Sequence, residues 1–281
     1  MPSVADKRRV FRRLHESGCF VIPNPWDVGT TRYLQHLGFK ALATTSAGAA
    51  FSMGLPDADW ALTRDPMLAH IRSIVDAADV PVNADFESGY ADEPAELAQN
   101  VLRCVETGVA GLSIEDSTGD ASRPLYPFDL AVARIRAARA AIDQVGGDVL
   151  LVGRTEGFIA GAPDLDETLR RLKAYATAGA DCLYAPGIHT REQIRAVVEA
   201  VAPKPVNLLI GGAIGLTVND AADLGVRRIS VGGALARTAW RGFMRAARDL
   251  AAGKFDSFSD AASGADLNRL FTDDAKRRLP S

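Results

Sequence analysis

LGFKALATTS (residues 37–46), TGVAGLSIED (107–116), AGADCLYAPG (178–187) and LGVRRISVGG (224–233) are four copies of one pattern. In each, a helix-like stretch ends at Gly38, Gly108, Gly179 or Gly225, and an apolar run follows two or three residues later. Glycine suits the residue just after a helix, where positive φ is usual and costs it little. The runs lack polar alternation, as parallel strands buried on both faces do. Working outward at the same spacing gives eight strands, at about 19–23, 41–46, 80–86, 110–115, 149–154, 181–186, 205–210 and 228–232.

Every gap between them holds a helix. Leu97, Val101, Cys104 and Val105 repeat at helical spacing behind Asp92 and Pro94, and Leu165, Leu169, Leu172 and Ala176 do so before Gly179. Eight such units in roughly 230 residues predict a (β/α)8 TIM barrel rather than an open doubly wound sheet. No GxGxxG follows the first strand, which argues against a dinucleotide site. The chain reads as a single domain over 1–281, of which 234–281 is a C-terminal helical extension with helices at about 234–252 and 260–278. The extension is more than a barrel needs. It is either packed on its own subunit or helix-swapped with another.

Basic and acidic residues number 32 and 35, a near balance with no Lys/Arg run that would make a nucleic-acid footprint. No apolar run approaches the ~18 residues of a membrane helix. The N-terminus, MPSVADKRRVFRRL, is charged and lacks the apolar core of a secretory signal. Cys19, Cys104 and Cys182 are far apart and form no CxxC pair, so neither a disulfide framework nor a cysteine zinc site is indicated. A cytoplasmic enzyme with no nucleic-acid or membrane partner is expected.

In such a barrel the active site lies at the C-terminal ends of the strands. Those ends are acidic here: Asp27 beyond the first, Asp57 in the loop after the second, Asp85 and Glu87 at the third, Glu115 and Asp116 at the fourth. The fifth ends in Arg154 and Glu156, and the seventh carries Asn207. Carboxylates that converge without Lys partners repel one another, which calls for a hard cation; Mg²⁺ keeps several waters and takes one or two carboxylates directly. The plainer alternative is that each acid caps the helix after it. The planar fork of Arg154 suits a carboxylate or phosphonate, unless it merely pairs with a neighbouring Glu. In TTSAGAAFSMGLPD (44–57), the small residues Ser46, Ala47 and Gly48 let backbone N–H groups approach an anionic ligand.

Taken in order, TTSAG (44–48), GLPD (54–57), NADFESGY (83–90), SIED (113–116), GRTE (153–156) and PVN (205–207) resemble the signature of the isocitrate lyase/phosphoenolpyruvate mutase superfamily. The likeness spans nearly the whole barrel, and D-x-[DE]-x-G-Y is its most specific element. The resemblance implies Mg²⁺ or Mn²⁺ near Asp85, with Glu87 and Glu115 completing the metal set and Asp57 helping to hold its waters. It implies a 2-oxo acid bound by Ser46, Ala47, Gly48, Asp57 and Asn207, with Arg154 on the group at its far end. It further implies a metal-stabilised enolate, and a homodimer or homotetramer that exchanges its last helix. The loop STGDASRPLYPFD (117–129) would serve as the lid.

The chain also departs from that family. It lacks the K-[KR]-C-G-H motif of the lyases for isocitrate and methylisocitrate, and no Cys or His stands in that loop. Glu87 replaces the usual Asp, Glu156 stands in the place of an Asp, and Ala185–Gly187 occupies the place of a Glu. Thr118 is the nearest match to the Asn or Thr that the phosphonate branch sets near phosphorus. His189 belongs to a helix start, with Thr190 leading and Gln193 three residues on. The expected function is Mg²⁺-dependent cleavage of a C–C bond at C3 of an oxaloacetate-like 2-oxo acid, by a lyase or decarboxylase using Arg154, Glu115 and Thr118. The alternatives are C–P chemistry of the phosphonopyruvate hydrolase or phosphoenolpyruvate mutase type, and a 2-oxo acid binding protein without turnover. A phosphate site at Gly211–Gly212 and Gly232–Gly233 is a further one.

Overall fold

The computed structural model describes residues 2–58 and 60–278. Eight strands alternate with helices along the chain. In order they are α1 (Val4–Leu14), β1 (Phe20–Ile22), α2 (Val28–His36), β2 (Leu42–Ala43), α3 (Ser46–Ser52), α4 (Arg64–Ala77), β3 (Val82–Asp85), α5 (Pro94–Val105), β4 (Gly111–Glu115) and α6 (Phe128–Val145). There follow β5 (Leu150–Arg154), α7 (Leu165–Thr177), β6 (Cys182–Tyr184), α8 (Arg191–Val201), β7 (Val206–Leu209), α9 (Val218–Asp223), β8 (Arg228–Ser230), α10 (Ala234–Ala251) and α11 (Gly264–Arg278).

All strand pairs are parallel, and β1 pairs with β8. Across the remaining gap the Ala43 N–H donates to the Pro23 carbonyl at 3.0 Å. The fold is therefore a nearly closed (β/α)8 TIM barrel. Each predicted strand is found, shorter by one to four residues; β4 and β5 keep their predicted last residues.

The barrel's two larger apolar cores do most to hold it together. The larger lies between strands and helices, where Leu42, Ile71, Leu97, Leu112, Leu151, Leu172 and Ile229 are buried. The smaller fills the N-terminal end of the barrel, where Phe11 of α1 packs on Ile22, Ala41, Ala43, Ala110 and Leu150. An added Cβ at Gly111 would meet the Phe11 ring at 2.7 Å, so glycine there admits the plug. The charged N-terminal segment is thus a helix that closes the barrel floor, begun by a capping box between Ser3 and Asp6.

Local signals explain several helix starts. Asp27 and Thr30 form the capping box of α2, so capping accounts for Asp27. Thr190 and Gln193 do the same for α8, as the sequence predicts. Pro94 opens α5, but its cap residue is Glu93, while Asp92 accepts the Tyr126 hydroxyl instead.

The two extension helices are present, with a short 3₁₀ turn at Asp256–Asp260 between them. Helix α11 lies on its own barrel. Its buried Asp274 pairs with Arg32 at 3.4 Å and Arg278 at 2.8 Å, and Arg278 donates to the Ala77 carbonyl at 2.6 Å. In this single chain the Arg32 ion pair holds α11 to α2 and the Arg278 hydrogen bond holds it to the end of α4. Helix α10 buries only Ala236 and exposes Trp240, Phe243 and Met244. Among the described residues no helix is long and apolar enough to cross a membrane.

Candidate functional site

A cavity of about 310 Å³ opens at the C-terminal ends of the strands. Ser46, Ala47, Asp57, Asp85, Glu87, Glu115, Arg154 and Asn207 all line it. The strands bring them together because residues two apart face the same side of a sheet. Thus 83 and 85, 113 and 115, and 228 and 230 all face inward.

Arg154, the last residue of β5, is the centre of the arrangement. Its Nη1 lies 3.0 Å from Asp85 Oδ1 and 3.0 Å from Glu115 Oε2, while its Nε donates to Glu156 Oε1. The ring of Tyr184 stacks 5.1 Å from its guanidinium carbon. Burial lowers the pKa of Arg154, but Glu115, Glu156, Tyr184 and Asp85 outweigh that and hold it well above its ordinary value. Burial also pushes the Glu115 carboxyl well above the usual carboxylate range, against the pull of Arg154. Glu156 is raised for the same reason. The acids converge in a cavity with no Lys in its lining, as the sequence predicts, and Arg154 supplies part of the neutralising charge.

Asp85 is held on its other oxygen, where Oδ2 accepts from both the N–H and the hydroxyl of Ser46, each at 3.0 Å. Ser46 thus spends its donors on Asp85. Glu87 adopts positive φ (48°) and accepts from the Trp60 N–H at 3.0 Å and the Tyr90 hydroxyl at 2.9 Å. Asp116 is buried just outside the cavity. It accepts from the Thr155 hydroxyl (2.8 Å), the Glu156 N–H (2.8 Å), Arg171 (3.1 Å) and the Tyr175 hydroxyl (2.6 Å). Its carbonyl also accepts from the Tyr126 N–H at 2.9 Å, so one residue ties the 117–129 loop to the end of β5.

Two predicted residues are not brought to the cavity wall. The Gly48 N–H donates to Thr45 Oγ1 at 3.2 Å, and an added Cβ would lie 2.7 Å from Thr45 and 2.8 Å from Trp26. Glycine at 48 serves the packing of α3. The Thr118 hydroxyl donates to the Arg123 carbonyl and accepts from the Asp120 N–H at 3.1 Å, which keeps it within an exposed turn. Its neighbour Ser117 lines the cavity instead. His189 is exposed and turned onto the Gly187 carbonyl.

Asn83, Ser113, Tyr184, Ser230 and Arg228 line the cavity without having been singled out by sequence. The signal was available for Arg228: a charged residue inside a short apolar run, two places before an inward-facing serine.

Among the described residues, no group of three or more His, Cys, Asp or Glu side chains is set to hold a metal ion. The donor chemistry nevertheless fits a hard divalent cation. Five carboxylates and two guanidiniums line the cavity, leaving an acid surplus, and carboxylate oxygens are the ligands that Mg²⁺ and Mn²⁺ take.

Comparison with known proteins agrees with this geometry. The family model for phosphoenolpyruvate phosphomutase matches residues 11–251. A curated oxaloacetate decarboxylase from Paraburkholderia xenovorans is 32% identical over 235 residues, covering 80% of this chain and 74% of that one. The crystal structure of a lyase/mutase candidate from Burkholderia cenocepacia J2315 superimposes with a TM-score of 0.90 at 47% identity, covering 95% and 96% of the two chains. An oxaloacetate acetylhydrolase bound to the inhibitor 3,3-difluorooxalacetate gives a TM-score of 0.85 at 27% identity, covering 98% and 97%.

Proposed function

The chain belongs to the isocitrate lyase/phosphoenolpyruvate mutase superfamily, and we propose that it cleaves a C–C bond at C3 of a small, oxaloacetate-like 2-oxo acid with the help of Mg²⁺ or Mn²⁺. The observation that carries this reading is the convergence of Asp85, Glu115 and Arg154 in one cavity at the strand ends. The similarity to proteins named for oxaloacetate decarboxylation and hydrolysis supports it.

Asp85 would hold the cation, with Glu87, Glu115 and Asp57 on its waters. When bound, the cation supplies Lewis-acid stabilisation of the negative charge that develops on the 2-oxo oxygen. The remaining work falls to the chain itself. Ser46 fixes the rotamer of Asp85 through two hydrogen bonds. Glu156 fixes Arg154 through its Nε, and Arg154 keeps the buried Glu115 neutralised. Asp116 anchors the root of the 117–129 loop, whose closure would exclude water from the reaction.

C–P chemistry is the second reading, favoured by the match to the phosphomutase family model. The confinement of Thr118 to its own loop weighs against it. The enzyme is proposed to act in the cytoplasm as a homodimer or homotetramer, and the exposed Trp240, Phe243 and Met244 supply an apolar face for such association.

Pyruvate release from a panel containing oxaloacetate and phosphonopyruvate, with Mg²⁺ and with chelator, tests the assignment. Release from oxaloacetate with Mg²⁺ is expected. Release from phosphonopyruvate alone would move the chemistry to C–P hydrolysis. Release from neither would remove the C–C reading for oxaloacetate and leave the mutase, which frees no pyruvate, or binding without turnover.

A further inference from the structure

Arg228 is the first residue of β8, while Asn83 and Asn207 are the second residues of β3 and β7. They therefore lie deeper in the barrel than Asp85, Glu115 and Arg154, which end their strands. Arg228 is only 3% exposed yet lines the same cavity. Its Nε donates to Asn207 Oδ1 at 2.8 Å and its Nη1 to Asn83 Oδ1 at 3.4 Å. Both amides are themselves oriented: Asn207 donates to Ser230 Oγ and Asn83 to the Ala84 carbonyl, each at 2.9 Å. Among the described residues no carboxylate pairs with this guanidinium, and its Nη2 has no hydrogen-bond partner.

The other buried guanidiniums are partnered differently, although the Arg134 Nε has no hydrogen-bond partner. Arg154 meets three carboxylates, Arg171 meets Asp116 and Glu167, and Arg134 donates to three backbone carbonyls. A buried charge left with neutral partners is costly, so its one open donor edge, facing a cavity, calls for an anion. The uncompensated charge is also felt at His15, which burial and Arg228 together hold neutral, with a pKa of about 3.

We propose that Arg228, braced by Asn83 and Asn207, is an anion subsite on the cavity floor that takes the second carboxylate of a dicarboxylic 2-oxo acid. This rests on the function proposed above and refines it. Acids ring the mouth and a lone cation lies below, so a diacid enters with its 2-oxo end at the mouth and its far carboxylate down. Arg154, already engaged by three carboxylates, then balances charge at the mouth, and Arg228 selects diacids over monoacids.

The test is calorimetric titration of metal-free protein, in chelator and chloride-free buffer, with succinate and with butyrate. Wild-type protein is expected to prefer succinate by about tenfold, the worth of a charge-assisted pair. Arg228→Met should lose that preference while its circular dichroism stays native. Arg228→Lys keeps the charge without the fork and should fall in between, which decides the matter if the Met variant does not fold. No preference in the wild type, or the full preference in either folded variant, would overturn the subsite. Turnover is not involved, so failed pyruvate release with intact succinate binding would count against the reaction and not against Arg228.

Discussion

Arg154 is the side chain on which the charge balance of the mouth depends, since Glu115 and Glu156 are buried around it. Arg154→Ala leaves those acids without their counter-charge and is expected to lower stability by about 3–5 kcal/mol. Urea unfolding measures this, and a loss below about 1 kcal/mol would show that the acids simply take up protons at little cost. His15 makes a second prediction. Its ring lies edge-on between Phe11 and Phe20, with Nδ1 on the Phe11 carbonyl and Nε2 unpartnered. Its folded pKa of about 3 lies below the ordinary 6.5, so the neutral ring contributes stability that is complete above pH 6.5. That contribution is lost as pH falls from 6.5 toward 3. His15→Phe should flatten the acid side of a Tm-against-pH curve, and an unchanged slope would assign acid lability elsewhere. At this scale the sequence is informative where a residue ends a strand, as Asp85, Glu115 and Arg154 do. It misleads at Gly48 and Thr118, whose polar groups are taken by nearby backbone and side-chain partners that spacing does not reveal.

Among the elements, four of the strands are legible because each follows a helix-ending glycine (Gly38, Gly108, Gly179 or Gly225), and the others follow from the spacing. Helix α1 is not, because six of its eleven residues are charged and the apolar anchor that matters is Phe11 alone. Phe11→Ala should cost about 3–5 kcal/mol, with native circular dichroism retained at low temperature. A change within error in Tm would mean that α1 is dispensable to the barrel floor. The 117–129 loop is held by contacts of its own, including the Ser117–Leu125 bridge. Thr118→Ala should therefore leave kcat/KM within about twofold, which is under 0.5 kcal/mol of transition-state binding. A loss above a hundredfold would restore Thr118 to the chemistry.

At the scale of the molecule, the barrel concentrates acid at its mouth and sets Arg228 beneath it on amide partners. The order of motifs along the chain made that mouth legible. Of the floor only Asn207 was, since Asn83 and Arg228 sit within strands that sequence marks only as buried. The extension was legible as two helices, but its docking on the same subunit rests on Asp274, Arg32 and Arg278, which no periodicity links. The most direct test of the proposed reaction is the rate of pyruvate formation from oxaloacetate with Mg²⁺, for wild type and for a folded Asp85→Ala variant. The comparison also removes the metal's own catalysis in solution. A wild-type rate above that background, falling to it in the variant and in chelator, is the predicted result; equal rates for the two proteins would contradict it.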